Sequence, residues 1–393
     1  MYLPASVFPD LKESIMNITR RSAIKGAVAS ATALSAPAIL SSKAFASSGS
    51  VRVFAWVDYV QANMIEAFES KTGIKVELST YGSNDEAEQK LQASQGKGFD
   101  VIFPSITNRA GYDNKDAPNG VWLMPLDENK IAIDNIIPSF VRDSIQLGGV
   151  KDGKRFLLPF NWGTEGLTFN AKEMDLSGDD LSFGALWAPE AKGKAAFRQK
   201  SVLFGTGLYL DAMGKLNSNR MLDVYKSEDD MRRVMAEITK FVIEHKENFG
   251  AFWNNATEAT SAFSDAGCVV GQTWDTTGLL LNQENGDFKY RAPKEGIITW
   301  LDSVGIPSGA ENIEQAYEFV NFMLTPEMGG MLSNNTGYNS AVVGASEFTS
   351  EQYKKQFGEV YTNDVLGNMW WWQADTPYFA AVRNEFVEQI TNA

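Results

Sequence analysis

Cysteine and histidine are almost absent, with one of each, Cys268 and His245, in 393 residues. A single cysteine excludes an intramolecular disulfide, and its apolar surroundings in AGCVVGQTW predict a buried, unreactive thiol. His245 continues the apolar face of a predicted helix, so we interpret it as a packing residue. Ser-His-Asp and Cys-His catalytic arrangements and zinc sites of His and Cys are therefore not expected.

Nucleotide-binding motifs and basic patches are also missing. The sequence contains no GxGxxG and no P-loop, so we expect no cofactor, and no metal site is expected either. The chain carries a net charge of −14 without a basic run, so nucleic acid is not an expected partner. Asp and Glu are plentiful, and a carboxylate pair of the glycosidase type stays open as an alternative.

Residues 1–46 are predicted to be an export signal of the twin-arginine type. Arg20 and Arg21 precede the apolar run GAVASATALSAPAIL and a small-x-small site at residues 44–46, and Met16 is a second candidate for the native start. The run is shorter than the roughly 20 apolar residues of a membrane span, so we expect export to the periplasm. The remaining 347 residues carry 30 basic and 47 acidic side chains, and their number suggests two domains.

Strands and helices alternate in the first third of the mature chain. VRVFAW, IKVELSTY and FDVIFPS are predicted strands, and VQANMIEAFESKTG and a segment opened by a Ser83–Glu86 capping box are predicted helices. This βαβαβ order indicates an α/β fold with a parallel sheet. RFLLPFNWGTEGLTFN, GCVVGQTWD and GIITWLDSVGIP are further predicted strands, and Pro159 and Gly163 are expected to interrupt the first of them. Helices are predicted from Ser227 and in ENIEQAYEFVNFMLTP, where Pro326 is the expected end.

Aromatic and acidic residues recur where the predicted strands end. Trp56, Asp58 and Tyr59 follow the first strand, and Ser105 and Thr107 follow the third. Carboxyl ends of parallel strands meet at one edge of a sheet, so these side chains should face one cleft.

The same residue types return later in the chain, at Trp274 and Asp275, Trp300 and Asp302, Tyr338, and the segment NMWWWQAD. Each pair alone is explained by core packing and helix capping. Together, ring faces and carboxylates suit an ammonium group, with cation–π contacts worth about 0.5 to 2 kcal/mol each. Sugars bind to the same residue types, so a sugar ligand stays an alternative.

Several segments resemble a known family. FAWVDYV, FDVIFPS, PKEGIITWLDSVGIP, VNFMLTPE and TGYNSAV closely resemble the periplasmic spermidine/putrescine-binding proteins of ABC importers, and the similarity runs over most of residues 51–393. The resemblance implies two α/β lobes, each a mostly parallel sheet flanked by helices, joined by crossing hinge strands. The implied first lobe comprises residues 47–160 and 299–345, and the second comprises residues 161–298 and 346–393. It also implies a monomeric, non-enzymatic protein that delivers a ligand to an inner-membrane permease.

The resemblance also implies which side chains line the cleft. From the first lobe these are Trp56, Asp58, Tyr59, Ser105 and Thr107. An aromatic box and a carboxylate for an amine would come from Trp274, Trp300 and Asp302, with a cleft tyrosine and glutamine at Tyr338 and Gln373.

One departure from the family concerns the ligand. Polyamine binders of this kind carry an acidic pair in a DDxxE-like turn. This chain has SVLFGTGLYL there, and Phe204 and Gly207 stand at the positions that align with the two acids. A diamine needs a carboxylate for each buried ammonium. Either Glu165 or Asp275 replaces the missing acids, or the ligand carries one cationic centre, as in a quaternary amine, a guanidino compound or an amino acid derivative. The expected ligand is a polyamine or a related small organic cation.

Overall fold

The computed structural model describes residues 49–393. The predicted export signal at residues 1–46 and the alternative start at Met16 lie outside the described residues. Within residues 49–393, no helix is long and apolar enough to cross a membrane.

Thirteen strands and twelve α-helices make up the described part of the chain. The strands are β1 (Ser50–Trp56), β2 (Lys75–Tyr81), β3 (Val101–Ile102), β4 (Val150–Lys151), β5 (Lys154–Arg155), β6 (Leu157–Asn170), β7 (Ala195–Arg198), β8 (Phe249–Trp253), β9 (Val270–Trp274), β10 (Phe288–Arg291), β11 (Ile298–Gly305), β12 (Asn339–Ser340) and β13 (Trp370–Trp371). The helices are α1 (Ala62–Thr72), α2 (Asn84–Ala93), α3 (Pro138–Asp143), α4 (Val202–Ala212), α5 (Glu228–Glu244), α6 (Ala256–Ser264), α7 (Asp275–Glu284), α8 (Ile313–Met323), α9 (Pro326–Thr336), α10 (Glu351–Val360), α11 (Asn363–Gly367) and α12 (Phe379–Thr391).

Eleven of the strands form one sheet, in the order β2-β1-β3-β11-β6-β9-β7-β8, with β10 and β12 paired to β6 and β13 paired to β11. The pairs of β1 with β2 and with β3 are parallel, as the βαβαβ pattern predicted, and so are the pairs of β7 with β8 and with β9. The long strands β6 and β11 run antiparallel between these two parallel sets. The sheet therefore forms two lobes joined by a pair of crossing strands.

Two of the three predicted lobe boundaries fall in the crossing strands. The boundary at residues 160 and 161 lies inside β6, and the boundary at residues 298 and 299 lies at the start of β11. The third, at residues 345 and 346, lies in a 3₁₀ turn, Ala345–Phe348. The exact division between the lobes stays a prediction.

Several sequence signals for helix ends are confirmed. The Ser83 hydroxyl accepts a hydrogen bond from the Glu86 N–H, as in a capping box, whereas the Glu86 carboxylate accepts one from the N–H of Gly82, the residue before the N-cap. Ser227 caps α5 through the Asp230 N–H. Gly73 ends α1 with a φ of 75°, a conformation that glycine adopts without strain.

Two predicted breaks differ from the structure. Strand β6 continues through Pro159 and Gly163 for 14 residues. Its register against β11 shifts between Pro159 and Asn161, and a bulge of this kind is a place where a strand tolerates a proline. Helix α8 ends at Met323, and Pro326 instead begins α9, since the first turn of a helix does not need the N–H that proline lacks.

Both rare residues pack as predicted. Cys268 is buried, and burial raises the pKa of its thiol to about 11. The His245 ring stacks on Phe241 with a centroid distance of 4.1 Å.

One buried carboxylate ties together three elements of the first lobe. Asp100, fully buried before β3, accepts hydrogen bonds from the backbone N, Nε and Nη2 of Arg52 on β1 at 2.8 to 3.0 Å. It also accepts bonds from the backbone N–H groups of Glu311 and Asn312 and from Asn312 Nδ2, at the start of α8. Burial opposes ionisation of Asp100, but the bonds from Arg52 and Asn312 hold its pKa well below the usual range.

The substitution Asp100→Asn should lower the free energy of unfolding by about 3 kcal/mol, because it removes the buried anion of Arg52 and leaves only the exposed carboxylate of Glu311. Urea denaturation followed by tryptophan fluorescence measures this change. Glu311→Gln is the matched control, since Glu311 also pairs with Arg52 at 3.0 Å but its side chain is 72% exposed, and we expect a change below about 1 kcal/mol. Equal effects of the two substitutions would contradict the assigned role of Asp100.

Candidate functional site

A cavity of about 970 Å³, part of it open to solvent, lies between the two lobes. Nine of the twelve site residues predicted from the sequence line it, namely Trp56, Asp58, Tyr59, Ser105, Thr107, Trp274, Trp300, Asp302 and Tyr338. The segments after β1 and β3 therefore face one cleft. Asp375, from the segment NMWWWQAD, also lies in the lining. Further charged and amide side chains of the lining were not predicted from the sequence, namely Asn84, Asp85, Asn108, Arg198, Lys200, Asn255 and Arg383.

The other three predicted residues, Glu165, Asp275 and Gln373, lie outside the lining. Glu165 Oε1 on β6 pairs with Arg198 Nη1 at 2.5 Å. Asp275, at the start of α7, accepts hydrogen bonds from Tyr361 Oη at 2.7 Å and from the backbone of Thr276 at 3.0 Å.

Gln373 donates from Nε2 to the carbonyl oxygen of Trp371. Its neighbours Trp372 and Asp375 line the cavity instead. Gln373 therefore lies outside the lining, although residues 372 and 375 belong to it.

Two carboxylates of the first lobe, Asp58 and Asp302, define what we call the acidic end of the cavity. The register shift in β11 follows Asp302, whose carboxylate accepts hydrogen bonds from the Tyr59 hydroxyl and, at 2.5 Å, from Ser105 Oγ. Burial raises the pKa of Asp302 to about 6 against these bonds. Burial also raises the pKa of Asp58 to about 6, opposed by a hydrogen bond from Tyr338. Neither carboxylate forms an ion pair with any residue from 49 to 393.

Aromatic rings surround the acidic end. Trp300 meets Tyr338 edge to face at 5.1 Å between centroids, and Trp56 meets Trp274 of the other lobe edge to face at 6.4 Å. Gly163 on β6 is paired in register with Trp300, and a Cβ atom at this position would overlap the indole ring. Glycine at position 163 therefore makes room for the Trp300 ring.

Three cations of the second lobe, Arg198, Lys200 and Arg383, define the basic end of the cavity. Lys200 Nζ lies 2.5 Å from Asp85 Oδ2, and Arg383 Nη2 lies 3.5 Å from Asp85 Oδ1. The Arg198 guanidinium lies over the Trp274 ring at 4.6 Å from its centroid. Because Asp85 begins α2 of the first lobe, these ion pairs join the two lobes across the cleft.

The charges at the basic end shift one another's pKa values. Burial opposes ionisation of Asp85, but Lys200 and Arg383 hold its pKa below the usual value. Burial lowers the pKa of Lys200, and the nearby Arg383 lowers it further. Burial raises the pKa of Asp375 to about 7, although its Oδ2 accepts a 2.7 Å hydrogen bond from Asn108.

A sequence signal existed for part of the basic end. Arg198 and Lys200 lie at the carboxyl end of β7, and Asp85 follows the carboxyl end of β2. Ligands of α/β sheets bind at the carboxyl ends of strands, the rule from which Trp56 was expected in the cleft, so the same rule indicates these three residues. Arg383 lies in α12 at the end of the chain, and no local pattern indicates that it reaches the cavity.

The substitution Gly163→Ala should destabilise the protein by about 1 to 3 kcal/mol, because the added methyl group must displace the Trp300 ring or β6. Thermal unfolding followed by circular dichroism measures this loss. Gly358→Ala in α10 is the control, since a Cβ there meets no atom within 4 Å and alanine favours a helix. A Gly163→Ala protein as stable as Gly358→Ala would contradict the packing described for Trp300.

The isolated protein should unfold at a higher temperature at pH 5 than at pH 8. Burial raises the pKa values of Asp58 and Asp302 to about 6, of Asp275 and Asp375 to about 7, and of Glu88 to about 8. The folded state thus binds more protons than the unfolded state between about pH 4 and 8, so its stability falls as the pH rises through this window. Calorimetry at a series of pH values tests the sign. A melting temperature that is constant or rises from pH 5 to 8 would contradict these environments. In the double variant Asp58→Asn, Asp302→Asn, the melting temperature should depend less steeply on pH.

Comparisons with known proteins agree with this architecture. The spermidine/putrescine-binding periplasmic protein of Escherichia coli K12 is 23% identical over 340 residues, which cover 85% of this chain and 89% of the relative. The putrescine-binding periplasmic protein SpuD of Pseudomonas aeruginosa is 25% identical over 329 residues, which cover 81% of this chain and 86% of the relative.

A solved structure shows the same two-lobed fold. It is the spermidine/putrescine ABC transporter substrate-binding protein PotD from Streptococcus pneumoniae, with a TM-score of 0.65 and 22% identity over 88% of this chain and 99% of that chain. The family described as bacterial extracellular solute-binding protein matches residues 63–358, well over half of the chain. The chain therefore belongs to the bacterial extracellular solute-binding protein family.

Proposed function

We propose that this protein binds a small organic cation, a polyamine or a related amine, in the interlobe cavity and delivers it to the membrane permease of an ABC importer. The relatives are periplasmic proteins named for binding spermidine and putrescine. One observation carries the choice of a cation: Asp58 and Asp302 lie among aromatic rings without an ion pair in the described part of the chain.

The acidic end suits an ammonium group for two physical reasons. Isolated buried carboxylates are unfavourable, as the raised pKa values of Asp58 and Asp302 show, and a positive ligand group would offset that cost. The rings of Trp300 and Tyr338 lie at the same end, and each cation–π contact adds about 0.5 to 2 kcal/mol. Micromolar affinity requires about 8.2 kcal/mol in total, which an ion pair, several ring contacts and burial between the lobes can supply together.

The arrangement of the other acids supports a ligand with one cationic centre at the acidic end. Glu165 pairs with Arg198, and Asp275 is held by Tyr361, so neither replaces the missing acidic pair. Phe204 packs on Trp372 at 4.3 Å between centroids, and Gly207 packs against Met221, so neither position belongs to the lining.

Hinge closure is the proposed mechanism of capture. Residues of both lobes line the cavity, and the ion pairs of Asp85 with Lys200 and Arg383 connect the lobes beside it. A ligand that contacts both walls binds the closed form better than the open form and shifts the population towards closure. The permease would then receive the ligand from the closed form. We further infer that Arg20 and Arg21 direct export through the twin-arginine pathway.

Isothermal titration calorimetry with putrescine, spermidine, agmatine and a quaternary amine tests the proposal. At least one of these cations should bind, and Asp302→Asn should weaken that binding by at least about 30-fold, because it removes the anion that pairs with the ammonium. Asp116→Asn is the matched control, since Asp116 is exposed and does not belong to the lining, and we expect the affinity of this variant to stay within about twofold. Preference for neutral sugars over every cation, or an unchanged affinity in Asp302→Asn, would refute the cation assignment.

A further inference from the structure

The basic end of the cavity carries hydrogen-bond donors that no described residue uses. Lys200 has three ammonium donors, and the structure pairs them with one carboxylate, that of Asp85. The Arg383 guanidinium donates from Nε and Nη2 to Asn384 and Asp85, and its Nη1 has no acceptor among residues 49–393. Arg383 is 8% exposed, so this charge is held inside the protein. Both side chains line the same cavity as the acidic end.

The charges at the basic end do not balance. Lys200 and Arg383 share the single carboxylate of Asp85, and Arg198 is paired with Glu165. Burial raises the pKa values of the nearby acids Asp375 and Glu88 and lowers that of Lys200, so it shifts each of these groups towards its neutral form. The ion pairs of the basic end therefore leave one of its three cations without a carboxylate of its own, opposite the unpaired carboxylates of Asp58 and Asp302.

A second ammonium group would be repelled at the basic end. A diamine with one nitrogen at the acidic end would extend its other nitrogen towards the basic end, where Lys200, Arg383 and Arg198 line the cavity. The two acids in that part of the lining are Asp85, which both Lys200 and Arg383 already contact, and Asp375, which accepts a hydrogen bond from Asn108. Juxtaposition of like charges at a buried interface is strongly unfavourable. A carboxylate in the same place would accept the unused donors, and arginine suits it because its planar donors match the two carboxylate oxygens.

We propose that the ligand is a zwitterion, an ω-amino or ω-guanidino carboxylic acid. Its cationic group binds at Asp58 and Asp302, and its carboxylate binds at Lys200 and Arg383. This inference rests on the proposed function, since it assumes that the cavity is the ligand site and that the acidic end holds a cation.

Matched ligand pairs of equal chain length provide the test. The pairs are 1,4-diaminobutane with 4-aminobutanoate, 1,5-diaminopentane with 5-aminopentanoate, 1,6-diaminohexane with 6-aminohexanoate, and agmatine with 4-guanidinobutanoate. In the pair that binds best, calorimetry should show at least about tenfold tighter binding of the acid. Equal or tighter binding of the diamine or agmatine would overturn this inference and leave the proposed function intact. Binding of neutral sugars with no binding of any member of the pairs would overturn both.

Variants separate ligand recognition from contact between the lobes. Lys200→Gln should lower the acid-to-amine affinity ratio of the best pair by at least about tenfold, and Arg383→Gln should do the same if it folds. Asp85→Asn is the control, since it removes the same interlobe ion pairs but leaves both cations, so the ratio should stay constant or rise. A constant ratio in Lys200→Gln, with equal losses for both ligands, would assign Lys200 to lobe contact alone and overturn the inference.

Discussion

A carboxylate removed from bulk water needs a positive partner, and Asp302 has no ion pair in the described part of the chain, although the charge of Arg198 lowers its pKa. Asp302 lies on β11, one of the two strands that cross between the lobes, next to a register shift against β6. Tyr59 and Ser105 orient it by hydrogen bonds, yet burial still raises its pKa to about 6. Gly163 on the facing strand leaves space for the Trp300 ring beside it. Strand pairing, glycine placement and ring packing thus converge on a site that a cation would stabilise.

The opposite charges of the cleft come from opposite lobes. The acidic end belongs to the elements around β1, β3 and β11, whereas Arg198 and Lys200 follow β7 and Arg383 lies in α12. Asp85 also comes from the first lobe and pairs with two cations of the second, whereas Asp375 is the acid of the second lobe in the lining. Closure therefore brings together groups whose burial is favourable only when each charge is matched. This requirement couples the position of the lobes to the occupant of the cavity.

The sequence predicted the parallel β–α units and the cluster of side chains at strand ends, because period, capping and chain order are local signals. It did not predict the orientation of Glu165. Strand β6 is buried on both faces except at its last residue, so alternation of apolar and polar residues does not indicate which side chains face the cleft. Gln373 was assigned to the cleft from the family resemblance. It lies in an irregular segment after β13, where an offset of one or two positions decides whether Trp372, Gln373 or Asp375 reaches the cavity.

The basic end was not expected because charged residues at the ends of strands and on helices are usually solvated. Lys200 and Asp85 are distant in sequence and meet across the cleft, and Arg383 comes from the last helix. Such contacts depend on tertiary structure, and a single sequence contains no periodic signal for them. They nevertheless change the expected chemistry of the ligand.

The most direct test of the central claim is a crystal structure of the protein with its natural ligand, and the distance from the ligand nitrogen to the nearest Asp302 carboxylate oxygen. We expect a charge-assisted hydrogen bond of about 2.7 to 2.9 Å, with the Trp300 ring against the ligand. A neutral or anionic ligand group at Asp302, or a ligand nitrogen bound elsewhere with Trp300 turned out of the cleft, would contradict it.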